Sequence, residues 1–248
     1  MSRMRYFTKV EFYNYRADSG GEKAGYYALI FFVYNALIIY LFGLLMYKTD
    51  FLERARLYYS NEHLFKLAIY SPIFILELAP LLFLLRSKKE NLQSIGLTTS
   101  NTAISILLGI VGAIPFTYQI ILDFILHKKE IQLEGANLWV EFLILFIFTA
   151  LPEELMFRGY IQTRITGLIK NKYLAIVVVG LLFALMHIPF QMSMVNMTFM
   201  DYLITNWVYM IQLMVMHIYF VYLYTRNNNI LVPIISHTLI DYIQLYIK

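Results

Sequence analysis

Long apolar runs alternate with short polar stretches along this chain. A helix needs about 20 apolar residues to cross roughly 30 Å of hydrocarbon. On that scale seven segments stand out, near 26–47, 64–85, 103–126, 138–157, 173–190, 203–224 and 230–247. The separators are "KTDFLERARLYYSNE", "RSKKENLQSIGLTTSN", "HKKEIQLEGAN" and "RGYIQTRITGLIKNK", with the shorter "TRNNN" before the last run. The pattern predicts an all-α fold, a polytopic transmembrane helical bundle of about seven spans. "NLQSIGLTTSNTAIS" is expected to lie as an amphipathic segment at the interface before the third span. No internal repeat, low-complexity tract or long linker divides the chain, so one integral membrane domain is expected.

Composition supports lipid as the main solvent. The 248 residues are 60% hydrophobic and 17% aromatic, with a mean hydropathy of +0.61, whereas soluble domains are usually about 45–50% apolar. The first apolar run is too long for a signal peptide and lacks a small-residue cleavage site, so it reads as a retained span. Charged residues make up 15%, and the net charge of +4 is too diffuse for a nucleic-acid partner. The absence of cysteine removes disulfides, thiolate nucleophiles, Cys-based zinc sites and prenylation of this chain itself.

Lys and Arg are unevenly shared between the two sides. Thirteen fall in the N-terminal arm and the second, fourth and sixth loops, against six on the other side. The positive-inside rule then puts the N-terminus in the cytoplasm and, for an odd number of spans, the C-terminus outside. A re-entrant last segment would move the C-terminus to the other side. Arg3, Arg5, Lys9 and Arg16 stand amid Tyr6, Phe7, Phe12 and Tyr13, which suits an anionic lipid surface or an ordinary solvated arm equally.

Three groups of polar residues interrupt the C-terminal apolar runs. The first is Glu153-Glu154-x-x-x-Arg158, directly after Pro152. An acidic side chain near the bilayer centre costs roughly 2.5–3.5 kcal/mol even on lenient scales. Glu154 and Arg158 share a helix face and can pair, while Glu153 is offset by about 100° and can point elsewhere. Pro152 removes a backbone donor and should disturb the helix there. The second group is Phe183-x-x-x-His187, where Phe183 can brace the imidazole and Pro189 is expected to bend or end the helix. The third is His237-x-x-x-Asp241, again on one helical face. Taken singly, each has a plain structural reading: a span end, a packed histidine, a helix-stabilising hydrogen bond. Together they are satisfied by one shared polar cavity, because intramembrane ionisable groups usually face a bundle interior or water. His217 has no acidic partner at helical spacing and reads as packed. Glu77 is expected to pair with the cavity or with a backbone group.

A carboxylate and an imidazole facing one water can deprotonate it and aim it at a carbonyl, and a second histidine can stabilise the oxyanion. Glu153, His187, His237 and Asp241 could equally hold a divalent metal such as zinc, with water in an open position. Sequence does not separate a metal-free site from a metal site. No G-x-S-x-G elbow and no H-E-x-x-H helix supports another hydrolase class.

The ordered triplet Glu153-Glu154-x-x-x-Arg158, Phe183-x-x-x-His187, His237-x-x-x-Asp241 resembles the type II CAAX prenyl endopeptidases and bacteriocin-processing proteins, also called CPBP or Abi intramembrane proteases. The resemblance covers roughly 145–245; the first three spans match only in being apolar. It implies a multi-pass endopeptidase of a bacterial plasma membrane, with an arm and three spans over 1–130 and the catalytic helical core over 131–248. It also implies that Glu153 and His187 activate water, that His237 assists the oxyanion, and that Glu154 and Arg158 are a supporting pair. The prenyl-protein branch commonly has Asn at the last position. Asp241 departs from it, and because an ionised Asp cannot donate a hydrogen bond it reads as orienting His237 or assisting a metal. The implied substrate is a membrane-associated peptide or protein, with bacteriocin or signal-peptide maturation and self-immunity as the associated roles. Two other classes compete: a non-catalytic immunity or binding protein using the same residues as a polar network, and a proton-coupled transporter, for which no repeat is visible.

Overall fold

The computed structural model describes residues 11–12, 21–132 and 135–248. Arg3, Arg5, Lys9, Arg16, Tyr6, Phe7 and Tyr13, on which the lipid-binding reading of the arm rests, lie outside the described residues. The described residues are helical with no strand, apart from an isolated bridge between Ile131 and Ile247. The helices are α1 Gly21–Lys48, α2 Phe51–Arg56, α3 Glu62–Ser87, α4 Thr102–Ile125, α5 Gly135–Leu145, α6 Leu151–Glu154, α7 Gln162–Ile169, α8 Lys172–Val195, α9 Phe199–Thr205, α10 Trp207–Asn227 and α11 Leu231–Tyr246.

Among the described residues five helices are long and apolar enough to cross a membrane: α1 from Glu22, α3, α4, α8 and α10. The chain is a multi-pass membrane protein. Two of the seven expected spans take another form. The expected fourth is broken into α5, a π-helical stretch Phe146–Ala150, α6 and a second π stretch Leu155–Ile161. Pro152 has no N–H for the carbonyl one turn back, and the Leu151 N–H reaches Phe146 O, five residues earlier. The expected seventh is α11, whose 16 residues extend about 24 Å, short of a typical hydrocarbon core.

The chain forms two compact units. The first takes in Leu92–Gly159, Val221–Lys248 and the described N-terminal residues Glu11 and Phe12. Its centre is the packing of α4 on α11, made possible by small residues. A Cβ on Gly109 would sit 2.7 Å from Ile235 Cβ, and one on Gly112 2.6 Å from Ser236 Oγ. The two backbones therefore approach as small-residue membrane interfaces do, and Ser236 Oγ donates to Gly109 O at 2.7 Å. That contact fixes the helix position immediately before His237. Leu92–Ile95 forms a 3₁₀ turn with Ser94 and Ile95 buried, and the Ile230 N–H donates to Gly96 O at 2.9 Å. This corrects the expected interfacial segment: its first part is packed inside the unit, because Ile95 supplies backbone and side chain to the surface under Gly159.

The second unit takes in the described residues up to Asn91 and Tyr160–Phe220. Here α1 packs on α7 and α8, with Phe31 edge-on to Tyr160 at 5.5 Å between centroids. Asn171 caps α8 by accepting from the N–H groups of Tyr173 and Leu174 at 3.1 Å each. Pro189 does not end α8, which continues to Val195.

Candidate active site

Four acidic or imidazole groups and one guanidinium converge in the first unit. Glu154 and Arg158 are both fully buried, with Arg158 Nη1 donating to Glu154 Oε1 at 3.0 Å. The expected i,i+4 pair is present. The same oxygen accepts from His237 Nδ1 at 2.8 Å. A carboxylate beside a guanidinium only accepts, so Nδ1 carries a proton and donates it to Glu154. Glu154 therefore does more than brace its own helix: it anchors a ring 83 residues away in sequence.

The opposite edge of that ring faces the other two acids. His237 Nε2 lies 3.4 Å from Asp241 Oδ2 and 3.9 Å from Glu153 Oε2. His237 is 4% exposed, whereas the Glu153 and Asp241 side chains each keep 27%. Glu153 Oε2 is itself buried, with no hydrogen-bond partner among the described residues. A separation beyond 3.5 Å between two polar atoms is the span that a bridging water fills.

Phe183 and His187 lie on α8, in the second unit. His187 Nδ1 donates to Phe183 O at 2.8 Å, which leaves Nε2 as the acceptor of the neutral ring. The Phe183 ring stands edge-on to the imidazole at 4.7 Å, the expected brace. His217 is fully buried and bonds Gln162 Oε1 through Nε2 at 2.9 Å, so it is a packed, partnered histidine. Glu77 is buried.

Sequence reasoning missed several partners. It had no sign of the Gln162–His217 bond, although Gln162 is a polar residue in a buried stretch eight positions after Glu154. It counted Arg158, Arg164 and Arg226 as loop charges, yet all three are buried. Arg164 is bonded to Glu90, with its guanidinium 4.4 Å from the Tyr160 ring centre. Without those three the basic excess is smaller but stays on the same side. Glu141 was also overlooked, and it accepts from Tyr246 OH at 2.8 Å.

The proposed ligand set for a metal was Glu153, His187, His237 and Asp241. Among the described residues no three His, Asp or Glu side chains have an arrangement that could hold a metal ion. Nδ1 of His237 is already committed to Glu154. No chemical step below is routed through a metal.

Residues 135–243 match the family described as type II CAAX prenyl endopeptidase Rce1-like. The match spans less than half of the chain, and over those residues the chain is similar to this Rce1-like family. The match bears out the resemblance read from the three motifs and takes in every residue of them. The match supports protease activity of the CAAX type, in a chain with several helices apolar enough to cross a membrane. No curated protein and no solved structure matches the chain.

Proposed function

We propose that the protein cleaves a peptide bond of a membrane-associated peptide or protein with a water activated by Glu153 and histidine. The observation that carries this reading is the Glu153 Oε2–His237 Nε2 separation of 3.9 Å, with Oε2 lacking a partner and Nδ1 tied to Glu154. One face of the imidazole is fixed and the other is presented beside an available carboxylate oxygen.

In this mechanism Glu153 takes a proton from the water as the oxygen attacks the scissile carbonyl carbon. The carbonyl electron pair moves onto oxygen. His237 receives that charge through Nε2–H, while Nδ1–H stays on Glu154. The intermediate collapses with cleavage of the C–N bond, and the proton held by Glu153 passes to the leaving amine. Asp241 faces Nε2 and keeps the ring in register. The family resemblance gives His187 a share in activating the water, for which its Nε2 lone pair is suited. The Lys and Arg asymmetry supports a cytoplasmic N-terminus, and the family resemblance supports a bacterial plasma membrane with bacteriocin or signal-peptide precursors as substrates.

The test is peptide release in reconstituted membranes supplied with membrane peptides from a host, read by mass spectrometry. Wild type should give products that Glu153→Gln and His187→Ala do not, and chelation should leave the wild-type rate unchanged. Identical peptide profiles from folded wild type and both variants would refute the protease reading. A rate abolished by chelator and restored by metal would refute the metal-free mechanism.

A further inference from the structure

The second unit contains a connected set of side chains that joins the Phe183–His187 motif to two residues outside any motif. It runs from Gln162 on α7 to His217 on α10, then to Phe183 and His187 on α8. Gln162 Oε1 and His217 Nε2 are 2.9 Å apart, and both residues are fully buried. Gln162 is held in turn, with its Nε2 donating to Thr166 Oγ1 at 3.1 Å. The His217 ring lies 5.8 Å from the Phe183 ring, tilted by 38°. His217 also rests against the α8 backbone: a Cβ on Gly180 would be 3.5 Å from its Cδ2. Phe183, fully buried, then stands edge-on to His187 at 4.7 Å.

A half-buried imidazole rotates freely about its second torsion unless something blocks it. The hydrogen bond from Nδ1 to Phe183 O sets one orientation. The Phe183 ring holds that orientation only if the ring itself cannot swing, and His217 fills the volume into which it would swing. An apolar residue of similar size would fill the same volume. A histidine adds the Nε2 hydrogen bond to Gln162, which fixes its own ring.

We propose that His217, locked by Gln162, is a positioning residue for His187, acting through Phe183. The proposal rests on the assignment of His187 to the hydrolytic reaction. His217 touches neither water nor substrate in this role. It keeps the His187 ring in the orientation in which Nδ1–H is spent on Phe183 O and Nε2 is the acceptor.

Two readouts test it on the full-length protein in reconstituted membranes: steady-state peptide release, and ¹⁵N spectra of ring-labelled histidine with His187 assigned from His187→Gln. Wild type should show His187 as the Nδ1–H tautomer. His217→Ala should lower kcat roughly tenfold or more with KM within about twofold, as expected when only the reacting geometry is disturbed. The same variant should turn the His187 spectrum into a tautomer mixture. The double variant Gln162→Leu/His217→Phe restores an aromatic ring against Phe183 and leaves no buried polar atom unpaired. It should recover most of the rate and the single tautomer, even if His217→Ala folds poorly. A His217→Ala protein with wild-type kcat and an unchanged His187 spectrum would overturn the proposal, as would a double variant that folds but recovers neither. Should wild type itself release no peptide, the spectra alone decide: the tautomer change supports the positioning role, its absence overturns it, and only the protease reading is lost.

Discussion

Substituting Glu154 by Gln tests the anchor under His237 with almost no change of shape. Glu154 Oε1 accepts from Arg158 at 3.0 Å and from His237 at 2.8 Å, with no solvent exposure on Glu154 or Arg158. Hydrogen bonds to a charged group contribute roughly 1.5–3 kcal/mol each and neutral ones roughly 0.5–1.5 kcal/mol. The amide oxygen keeps both acceptor positions, so the two weakened bonds account for about 2 kcal/mol. The stranded Arg158 charge raises the loss, because removing one partner of a buried pair costs about 3–5 kcal/mol. An overall destabilisation of about 3 kcal/mol is therefore expected, within the range set by those two arguments. Arg158→Met strands the carboxylate instead and should cost about 3–5 kcal/mol. In the double variant neither charge remains, so its loss should fall short of the summed single losses by about 1–3 kcal/mol.

The assay is unfolding of all four proteins in mixed micelles, followed by helix content. The activity arm uses the same proteins: a loosened Nδ1 anchor should lower kcat by about 10²-fold in Glu154→Gln, the low end for acid–base groups. Losses that simply add in the double variant would show that Glu154 and Arg158 do not act as a pair. A Glu154→Gln protein with wild-type stability and kcat would refute the anchoring argument as a whole.

Three further outcomes follow from neighbouring geometry. Glu153→Gln should cut peptide release by about 10²–10⁴-fold while leaving the unfolding midpoint unchanged or raised, since Oε2 has no protein partner to lose; a matching fall in stability would argue for a structural carboxylate. Asp241→Asn keeps a polar group beside His237 Nε2, 3.4 Å away, and should lower kcat by roughly tenfold, less than Glu153→Gln, in the same release assay. Gly159→Ala brings a Cβ to 2.7 Å from Ile95 O and should destabilise by about 1–3 kcal/mol through overpacking, measured as a lowered unfolding midpoint.

What the sequence could reveal depended on how far apart the interacting groups lie along the chain. Glu154 with Arg158 and Phe183 with His187 are helical neighbours, and periodicity alone brought each pair together. The bond between Glu154 and His237 closes 83 residues and that between Gln162 and His217 closes 55. No spacing rule reports such contacts, so His237 could be singled out as ionisable but not assigned its anchor. That only five of the seven expected spans appear as single long helices has a related reason. Hydropathy sees the apolar content of 138–157 but not the π-helical turns on either side of Pro152, which depend on hydrogen bonds skipping one residue further back.

Those turns surround the place where two adjacent acids occur in an apolar helix. Neighbouring helical positions diverge by about 100°, so Glu153 and Glu154 cannot be satisfied in one way. Glu154 has no exposure and receives Arg158 and His237, which offset its burial inside the protein. Glu153 has no such partner on Oε2 and instead keeps 27% of its side chain exposed. A carboxylate needed only for packing would be better off with the first solution than the second. Glu154 Oε2 is also buried without a hydrogen-bond partner, so what distinguishes Glu153 is its partial exposure beside a fixed imidazole, which suits water activation. The contrast in exposure between the two neighbours supports the proposal that Glu153, and not Glu154, is the reacting acid.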